Sequence, residues 1–222
     1  MTGPVHFIGI GGYGMSSLAQ YLLLSGVAVT GSDVRPSVRT ERLAALGARI
    51  AFGHKAEHVA GAARVIYSTD VPEENVERIA ARRHGIPVEH RSVLLAELLA
   101  RGRSVAVTGT HGKTTTTAMI GAVLVEAGCD PTVFLGADYG PFGGNLRFGR
   151  GLWSVAEACE SDASFLRYRP DIAVVTNLEP EHLDRYGDFP ALVEAVRRFL
   201  GGVAADGCVV LCGDDPHLRR LA

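Results

Sequence analysis

A lysine and a run of threonines follow a glycine turn near the middle of the chain. Residues 105–117 read VAVTGTHGKTTTT, which predicts a buried strand, a turn and the start of a helix. Such a turn suits a polyphosphate, because glycines allow a close approach and the N–H groups of a helix N-terminus point at the anion. Lys113 would supply a mobile positive charge, and the Thr114 hydroxyl would bind a phosphate-bound Mg²⁺.

The predicted phosphate-binding residues are consecutive in the chain: Gly109, Thr110, His111, Gly112, Lys113, Thr114 and Thr115. Their spacing departs from the strict P-loop pattern, since Val107 stands where the first glycine is expected. The alternative is a threonine-rich helix cap without a ligand, which leaves the glycines and the lysine of the turn unexplained.

A second glycine turn follows the first predicted strand. Residues 9–14 read GIGGYG and match the dinucleotide pattern GxGxxG, and Asp33 closes the next strand about 20 residues later. The glycines would place a pyrophosphate on the helix N-terminus, and Asp33 would accept hydrogen bonds from a ribose or a base. NAD(P) and UDP-sugars both carry these groups, so this pattern leaves both open, beside a tight turn with no ligand.

Acidic side chains and one histidine follow two later strands. Three acids lie at the end of the predicted strand 152–157, and Glu157 is still on that strand. Open α/β sheets bind ligands at the carboxyl ends of their strands. Glu157 could share a Mg²⁺ with Thr114, since hard cations take carboxylate and hydroxyl oxygens; the alternative is a solvated acidic loop. His182, after the next strand, is a candidate metal ligand or charge-stabilising group.

Strand-like and helical segments alternate along the whole chain, which predicts α/β architecture with parallel sheets and crossover helices. We expect a Rossmann-like domain at residues 1–102 and a P-loop-type α/β domain at residues 103–222. The first has predicted strands at 5–10, 27–32, 48–52 and 64–68, and helices at 14–24, 40–46, 73–84 and 93–100. The second has predicted strands at 104–108, 132–135, 152–157, 172–176 and 207–211, helices at 113–127 and 189–200, and a glycine-rich loop at 136–151. The second domain has few elements for a nucleotide-binding domain, so we expect it to be truncated.

Composition argues against several classes of protein. The 222 residues carry a formal charge of −2, and nonspecific nucleic-acid binding would need a basic face. No apolar run reaches the roughly 20 residues needed to span a bilayer, and the N-terminus has no basic region typical of a secretory signal. The four cysteines form no CxxC pair, and we expect them to be buried free thiols in a reducing cytoplasm. They are Cys129, Cys159, Cys208 and Cys212.

Two phosphate loops in one chain narrow the choice of function. An ordinary dehydrogenase has no use for a lysine-bearing loop in a second domain, and an NTPase switch has no use for a Rossmann loop in the first. An enzyme that joins a nucleotide-carried substrate to a second molecule, driven by ATP, needs both.

These motifs together resemble the Mur ligases of peptidoglycan synthesis. Five segments in family order carry the resemblance: 6–15 (HFIGIGGYGM), 31–33 (GSD), 109–115 (GTHGKTT), 160–165 (ESDASF) and 177–182 (NLEPEH). The histidine of the phosphate loop and the SDASF segment favour the alanine-adding member of the family over the tripeptide-recycling and later amino-acid-adding members. The resemblance implies an ATP- and Mg²⁺-dependent ligase that adds L-alanine to UDP-N-acetylmuramate through an acyl phosphate.

The resemblance also implies roles for individual residues. Lys113, Glu157 and His182 are the implied catalytic residues, with Lys113 on the ATP phosphates. Thr114 and Glu157 would bind one Mg²⁺, and His182 a second. The implied UDP-sugar site comprises Gly11, Gly12, Tyr13, Gly14, Met15, Asp33, Ser68 and Thr69.

The chain departs from the family pattern in two residues and in length. Cys159 and Glu181 stand where the family usually has aspartates, which puts a metal or water-positioning role at Cys159 in doubt. The family's third domain and the rest of its central domain are missing, so we expect a fragment with UDP-sugar affinity but no ligase activity. The alternatives are a noncatalytic nucleotide-sugar-binding module, the tripeptide-recycling ligase and an NAD-dependent oxidoreductase; amino-acid preference and oligomeric state stay open.

Overall fold

The computed structural model describes residues 3–222, and the chain divides into two compact units. The first unit ends at Leu95 and the second begins at Ala96. The domain division predicted after residue 102 stays a prediction. Within residues 3–222, no helix has both the length and the apolar character that crossing a bilayer requires.

The first unit contains a five-stranded parallel sheet. Its strands are β1 (Val5–Ile8), β2 (Val29–Asp33), β3 (Arg49–Phe52), β4 (Arg64–Tyr67) and β5 (Val88–His90), in the order β3-β2-β1-β4-β5. Its helices are α1 (Tyr13–Leu24), α2 (Val38–Ala45), α3 (Val76–Arg83) and the start of α4 (Arg91–Leu99). The strand order reverses at β1, and the crevice at such a point is where open α/β sheets bind ligands. The GIGGYG turn begins there, directly after β1.

Residues of β1 are buried on both faces because helices cover both sides of a parallel sheet. Helix α2 begins with a capping box, in which the Ser37 side chain and the Thr40 side chain each bind the other residue's backbone N–H. Gly31 on β2 lies against Ile10, where an added Cβ would be 2.6 Å from the Ile10 side chain. Glycine at this position therefore lets the turn after β1 pack on β2.

Three histidines surround a buried carboxylate in the first unit, although the sequence offered no reason to single them out. Glu77 is fully buried, and its carboxylate contacts His6 Nε2 at 2.8 Å, His54 Nδ1 at 3.0 Å and His58 Nδ1 at 3.3 Å. The Ser32 hydroxyl donates to it at 2.8 Å. We call these five residues the Glu77 cluster; they come from β1, β2, the loop after β3, a 3₁₀ turn and α3, and so tie these segments together.

The second unit contains a six-stranded sheet in the order β11-β10-β6-β9-β7-β8. Its strands are β6 (Arg103–Thr108), β7 (Thr132–Tyr139), β8 (Gly144–Arg147), β9 (Trp153–Glu157), β10 (Ile172–Val175) and β11 (Cys208–Leu211). Its helices are α5 (Lys113–Glu126), α6 (Leu183–Tyr186) and α7 (Phe189–Leu200). The central strands β6 and β9 are parallel and apolar, with Val105, Val107 and Val155 buried. The predicted α/β class, with a Rossmann-like parallel sheet followed by a second α/β unit, is confirmed.

The glycine-rich loop predicted at 136–151 is wrong over much of its length. Strand β7 continues to Tyr139, and after a 3₁₀ turn β8 pairs back on β7 antiparallel, with Phe134 opposite Leu146. The reversal uses Gly143 and Gly144, which have φ values of 72° and 153° that other residues rarely adopt. The predicted parallel pairing therefore fails at this edge, because the glycines that form the hairpin also resemble those of a loop.

The cysteines are free, as predicted, but they are not buried. Cys208 is exposed, and the other three are half-buried. Cys208 lies on the edge strand β11, where the next two residues, Val209 and Val210, are also exposed.

Candidate nucleotide and metal site

The phosphate turn joins β6 to α5, and the predicted strand, turn and helix are all confirmed. Gly109 has a φ of 128° and Gly112 a φ of 81°, and α5 begins at Lys113 directly after Gly112. The N-terminus of α5 thus lies at the carboxyl end of β6, where the partial positive charge of the helix favours an anion.

The backbone of the turn is held by the segment that follows β10. The His111 N–H donates to the Asn177 side-chain oxygen at 2.8 Å, and the Thr110 N–H donates to the Asn177 carbonyl at 3.2 Å. The Thr176 hydroxyl donates to the His111 carbonyl at 2.6 Å. The His111 ring itself is exposed, with Nε2 3.7 Å from a Glu179 carboxylate oxygen. Contacts within the chain itself therefore shape the turn.

Lys113 folds back over the turn from the first position of α5. Its ammonium donates to the Gly109 carbonyl at 2.6 Å, to the Thr110 carbonyl at 3.1 Å and to Glu160 Oε1 at 3.0 Å. The side chain is 16% exposed, so the charge lies at the turn rather than in bulk solvent. This is where the phosphates of a nucleotide would need a cation.

Thr114 and Glu157 contact each other, and the Mg²⁺ that they are predicted to share stays a prediction. The Thr114 hydroxyl donates to Glu157 Oε2 at 3.1 Å, and the Gly136 N–H donates to Glu157 Oε1. Burial raises the pKa of Glu157, and the hydrogen bonds from Gly136 and Thr114 partly oppose that shift. A hydroxyl oxygen beside a carboxylate oxygen fits the preference of Mg²⁺ for hard oxygen ligands. An added Cβ at Gly136 would be 2.7 Å from Glu157 Oε2, so glycine leaves room for this carboxylate.

His182 lies beside Glu160, a residue that the sequence interpretation does not assign to the site. His182 Nε2 is 3.5 Å from Glu160 Oε1 and 3.8 Å from Glu181 Oε2. One ligand atom from each of Glu160, Glu181 and His182 lies within 4.8 Å of the others, and this is the one such set of His, Cys, Asp and Glu atoms in residues 3–222. We call these three residues the Glu160 cluster. The position of Glu160 at a strand end, three residues after Glu157, is the signal that could have identified it.

The structure thus brings the predicted residues of the second unit together around two carboxylates. Lys113 and His182 both contact Glu160, while Thr114 contacts Glu157. The three metal ligands predicted from the sequence, Thr114, Glu157 and His182, stay a prediction as one set.

In the first unit, Asp33 shapes the glycine turn. Its Oδ2 accepts a hydrogen bond from the Gly11 N–H at 2.7 Å, while its Oδ1 accepts one from the Val34 N–H. Arg39 Nε donates to the Gly11 carbonyl, and the Arg39 guanidinium lies 3.9 Å from the centre of the Tyr13 ring. The N–H and the carbonyl of Gly11 are therefore both held, so Asp33 orders the turn in addition to its predicted contact with a nucleoside.

The other predicted sugar-nucleotide residues lie around the same strand ends. Gly12 is the N-cap of α1, and Gly14 lies against Arg91, whose Nη1 would be 3.1 Å from an added Cβ. Met15 is buried, Ser68 follows β4, and the Thr69 hydroxyl is 3.0 Å from His90 Nε2.

Replacing Gly109 with alanine is expected to destabilise the second unit more than replacing Gly112. Both glycines have positive φ, but an alanine Cβ at 109 would be 2.2 Å from the Thr176 hydroxyl, whereas the space at 112 is open. Overpacking of this kind costs about 1–3 kcal/mol beyond the backbone strain that both variants share. Urea unfolding followed by fluorescence of Trp153, on β9, measures the difference; equal midpoints would contradict it.

Two family models match this chain. One is described as the Mur ligase family catalytic domain and matches residues 4–103, and the other as the Mur ligase middle domain and matches residues 153–222.

Curated relatives resemble the whole length of the chain. A UDP-N-acetylmuramate–L-alanine ligase of Symbiobacterium thermophilum is 56% identical over 98% of this chain and 45% of its own length. A ligase of the same name from Phenylobacterium zucineum is 48% identical over 99% of this chain and 46% of its own length. The chain thus spans about half the length of the curated relatives it matches.

Two solved structures are also similar to this chain. UDP-N-acetylmuramate-alanine ligase MurC from Thermotoga maritima matches with a TM-score of 0.91 and 34% identity, over 99% of this chain and 51% of its own. The UDP-N-acetylmuramate:L-alanyl-gamma-D-glutamyl-meso-diaminopimelate ligase MPL from Neisseria meningitides matches with a TM-score of 0.91 and 28% identity, over 100% of this chain and 74% of its own.

Proposed function

This chain belongs to the Mur ligase family, and we propose that it is the UDP-sugar- and ATP-binding part of a ligase that joins L-alanine to UDP-N-acetylmuramate. The observation that carries the proposal is the Lys113 ammonium, held over a preformed phosphate turn beside Glu160. The identity of 56% to a relative named for this reaction supports the choice of substrates. The cytoplasmic location expected from the sequence stays a prediction.

The chemistry of the proposed reaction explains why these residues lie together. The carboxylate of the sugar nucleotide attacks the γ-phosphate of ATP, and the amine of L-alanine then displaces phosphate from the acyl phosphate. Because a carboxylate anion attacks a phosphate anion, catalysis depends on positive charge that reduces their repulsion. Lys113 supplies this charge at the β- and γ-phosphates. Mg²⁺ held by Thr114 and Glu157, with a second ion at His182, would neutralise further phosphate charge.

The first unit would hold the sugar nucleotide. The turn at Gly11 and Gly12 leads into α1, whose N-terminus favours the diphosphate. Arg91, beside Gly14, adds a positive charge to the same strand ends. Asp33 holds the turn through Gly11 and, with its remaining acceptor capacity, faces the nucleoside.

The tripeptide-recycling ligase is a second candidate. The Neisseria ligase has the same TM-score as the Thermotoga enzyme, 0.91, so the fold does not separate the two activities. The sequence does favour the alanine-adding activity, since identity is 34% to the Thermotoga enzyme and 28% to the Neisseria one.

Calorimetric titration of this chain with UDP-N-acetylmuramate and, separately, with Mg·ATP tests the proposal. We expect clear binding of the sugar nucleotide and weak binding of Mg·ATP, since the chain spans only part of its relatives. Asp33→Ala should lower the affinity for the sugar nucleotide about 10-fold or more, because the Gly11 N–H loses a charge-assisted hydrogen-bond partner. Asp70→Ala, which removes an exposed acid of the same unit, is the matched control. Binding of NADH in place of the sugar nucleotide would refute the proposal.

A further inference from the structure

We propose that Glu160 is an exchangeable ligand, which holds the Lys113 ammonium when no nucleotide is bound and binds a divalent cation with His182 and Glu181 once a triphosphate takes that ammonium. The inference rests on the proposed function, because it requires a nucleotide at the phosphate turn. It adds Glu160 and Glu181 to the predicted metal ligands and makes the second ion depend on ATP.

One oxygen of the buried Glu160 carboxylate is unsatisfied. Glu160 is 2% exposed, and its Oε1 accepts a hydrogen bond from Lys113, but its Oε2 is buried and has no hydrogen-bond partner in the described structure. A carboxylate oxygen left without a donor in a buried place costs free energy that a bound cation would offset. One ligand atom from each of Glu160, Glu181 and His182 lies within 4.8 Å of the others, so the Glu160 cluster offers further ligands to an ion bound by this carboxylate.

The Lys113 ammonium and a divalent ion at Glu160 would repel each other. The Lys113 ammonium lies 3.0 Å from Glu160 Oε1, and His182 Nε2 lies 3.5 Å from the same oxygen. A divalent ion bound between Glu160 and His182 would therefore lie close to the lysine charge and be repelled by it. Once phosphate oxygens take the ammonium, Glu160 loses its counterion and becomes free to bind the ion.

Helix α6 contacts two members of the Glu160 cluster. The Tyr186 hydroxyl of α6 donates to the Glu160 carbonyl, and His182 caps α6 with a φ of 54°. Two carboxylates and an imidazole suit Mg²⁺ or Mn²⁺ bound beside phosphate oxygens.

The exchange predicts opposite effects of Glu160→Gln on ATP affinity with and without metal. In EDTA the variant should bind ATP about several-fold more tightly than the parent chain, because Lys113 is no longer held by a carboxylate. In Mn²⁺ it should bind ATP about 10-fold more weakly, which is an ordinary size for coupling between two sites. A merely structural role of Glu160 would weaken ATP in both conditions.

Mn²⁺ provides the direct readout, through loss of its free electron paramagnetic resonance signal. With ATP already loaded with one Mn²⁺, the parent chain should take up a further ion that it does not take up without ATP. Glu160→Gln should lose this ion, and Glu194→Gln, an exposed acid on α7, should keep it. If Glu160→Gln unfolds, Glu181→Gln tests the same ion, because it leaves Lys113 and Glu160 intact. This variant should weaken binding of the further Mn²⁺ ion without changing ATP affinity in EDTA.

Different results would overturn the proposed nucleotide function and the proposed role of Glu160. If the parent chain binds no ATP in either condition, the proposed nucleotide function fails and the inference fails with it. If ATP binds but Glu160→Gln or Glu181→Gln keeps the further Mn²⁺ ion, or if the parent chain binds that ion equally without ATP, only the inference is overturned.

Discussion

Replacing Lys113 with alanine is expected to lower the ATP affinity of this chain about 10- to 100-fold, because hydrogen bonds to charged groups contribute about 1.5–3 kcal/mol. Its ammonium is the positive charge held over the phosphate turn, through two turn carbonyls and Glu160. Affinity for UDP-N-acetylmuramate should stay nearly intact, since the residues predicted to hold the sugar nucleotide belong to the first unit. In a longer chain with ligase activity, the same change should abolish turnover.

The chain offers a matched control for this prediction. Its only other lysine is Lys55, which lies on the surface of the first unit and is 66% exposed. Lys55→Ala removes the same charge without touching the turn and should leave both affinities unchanged. Calorimetric titration of the parent chain and both variants measures the effect. An equal loss of sugar-nucleotide affinity in Lys113→Ala would mean that the two sites are not separate.

Several helices and turns could be predicted because the sequence features that specify them are local. Helix α7 has the bounds predicted from its apolar spacing, residues 189–200, since Asp188 caps its start and Gly201 follows its end. The turn at Lys113 was recognisable because strand, glycines and helix follow one another within a few residues. By contrast, the hairpin β7–β8 was missed, since its pairing depends on a register between strands and not on the periodicity of either one.

The contacts within the site could not be predicted in the same way. Glu160 meets Lys113 across 47 residues, and the parallel pairing of β6 with β9 brings together the two strand ends that they follow. The same reason hides the Glu77 cluster, in which His6 and Glu77 are 71 residues apart. The sequence around a histidine or a glutamate is the same whether its side chain is exposed or buried beside a distant partner. Spacing along the chain therefore does not reveal such pairs.

Replacing Glu77 with glutamine is expected to destabilise the first unit by about 3 kcal/mol at neutral pH. Burial alone would raise the pKa of Glu77, but hydrogen bonds from His6, Ser32 and His54 outweigh it and lower the pKa from 4.5 to about 2. A difference of this size between the folded and unfolded pKa corresponds to about 3 kcal/mol. Glutamine keeps the shape of the side chain but removes the charge that the cluster surrounds.

The same residue predicts how stability depends on pH. Because the folded pKa lies below the unfolded one, the stabilisation is complete above about pH 4.5 and is lost as the pH falls toward 2. The parent chain should therefore lose about 3 kcal/mol over this range beyond what Glu77→Gln loses. Glu57→Gln, an acid that is 75% exposed in the same unit, is the matched control and should follow the parent.

Urea unfolding at several pH values between 7 and 2 measures both effects. Circular dichroism reports both units, whereas fluorescence of Trp153, the single tryptophan, reports the second unit and serves as an internal reference. The variant should unfold earlier by circular dichroism at pH 7, with an unchanged fluorescence transition. Parallel loss of stability in the parent chain and Glu77→Gln between pH 5 and pH 2 would show that the buried carboxylate is not what the histidines stabilise. A fluorescence transition that shifted with the variant would instead show that the two units unfold together.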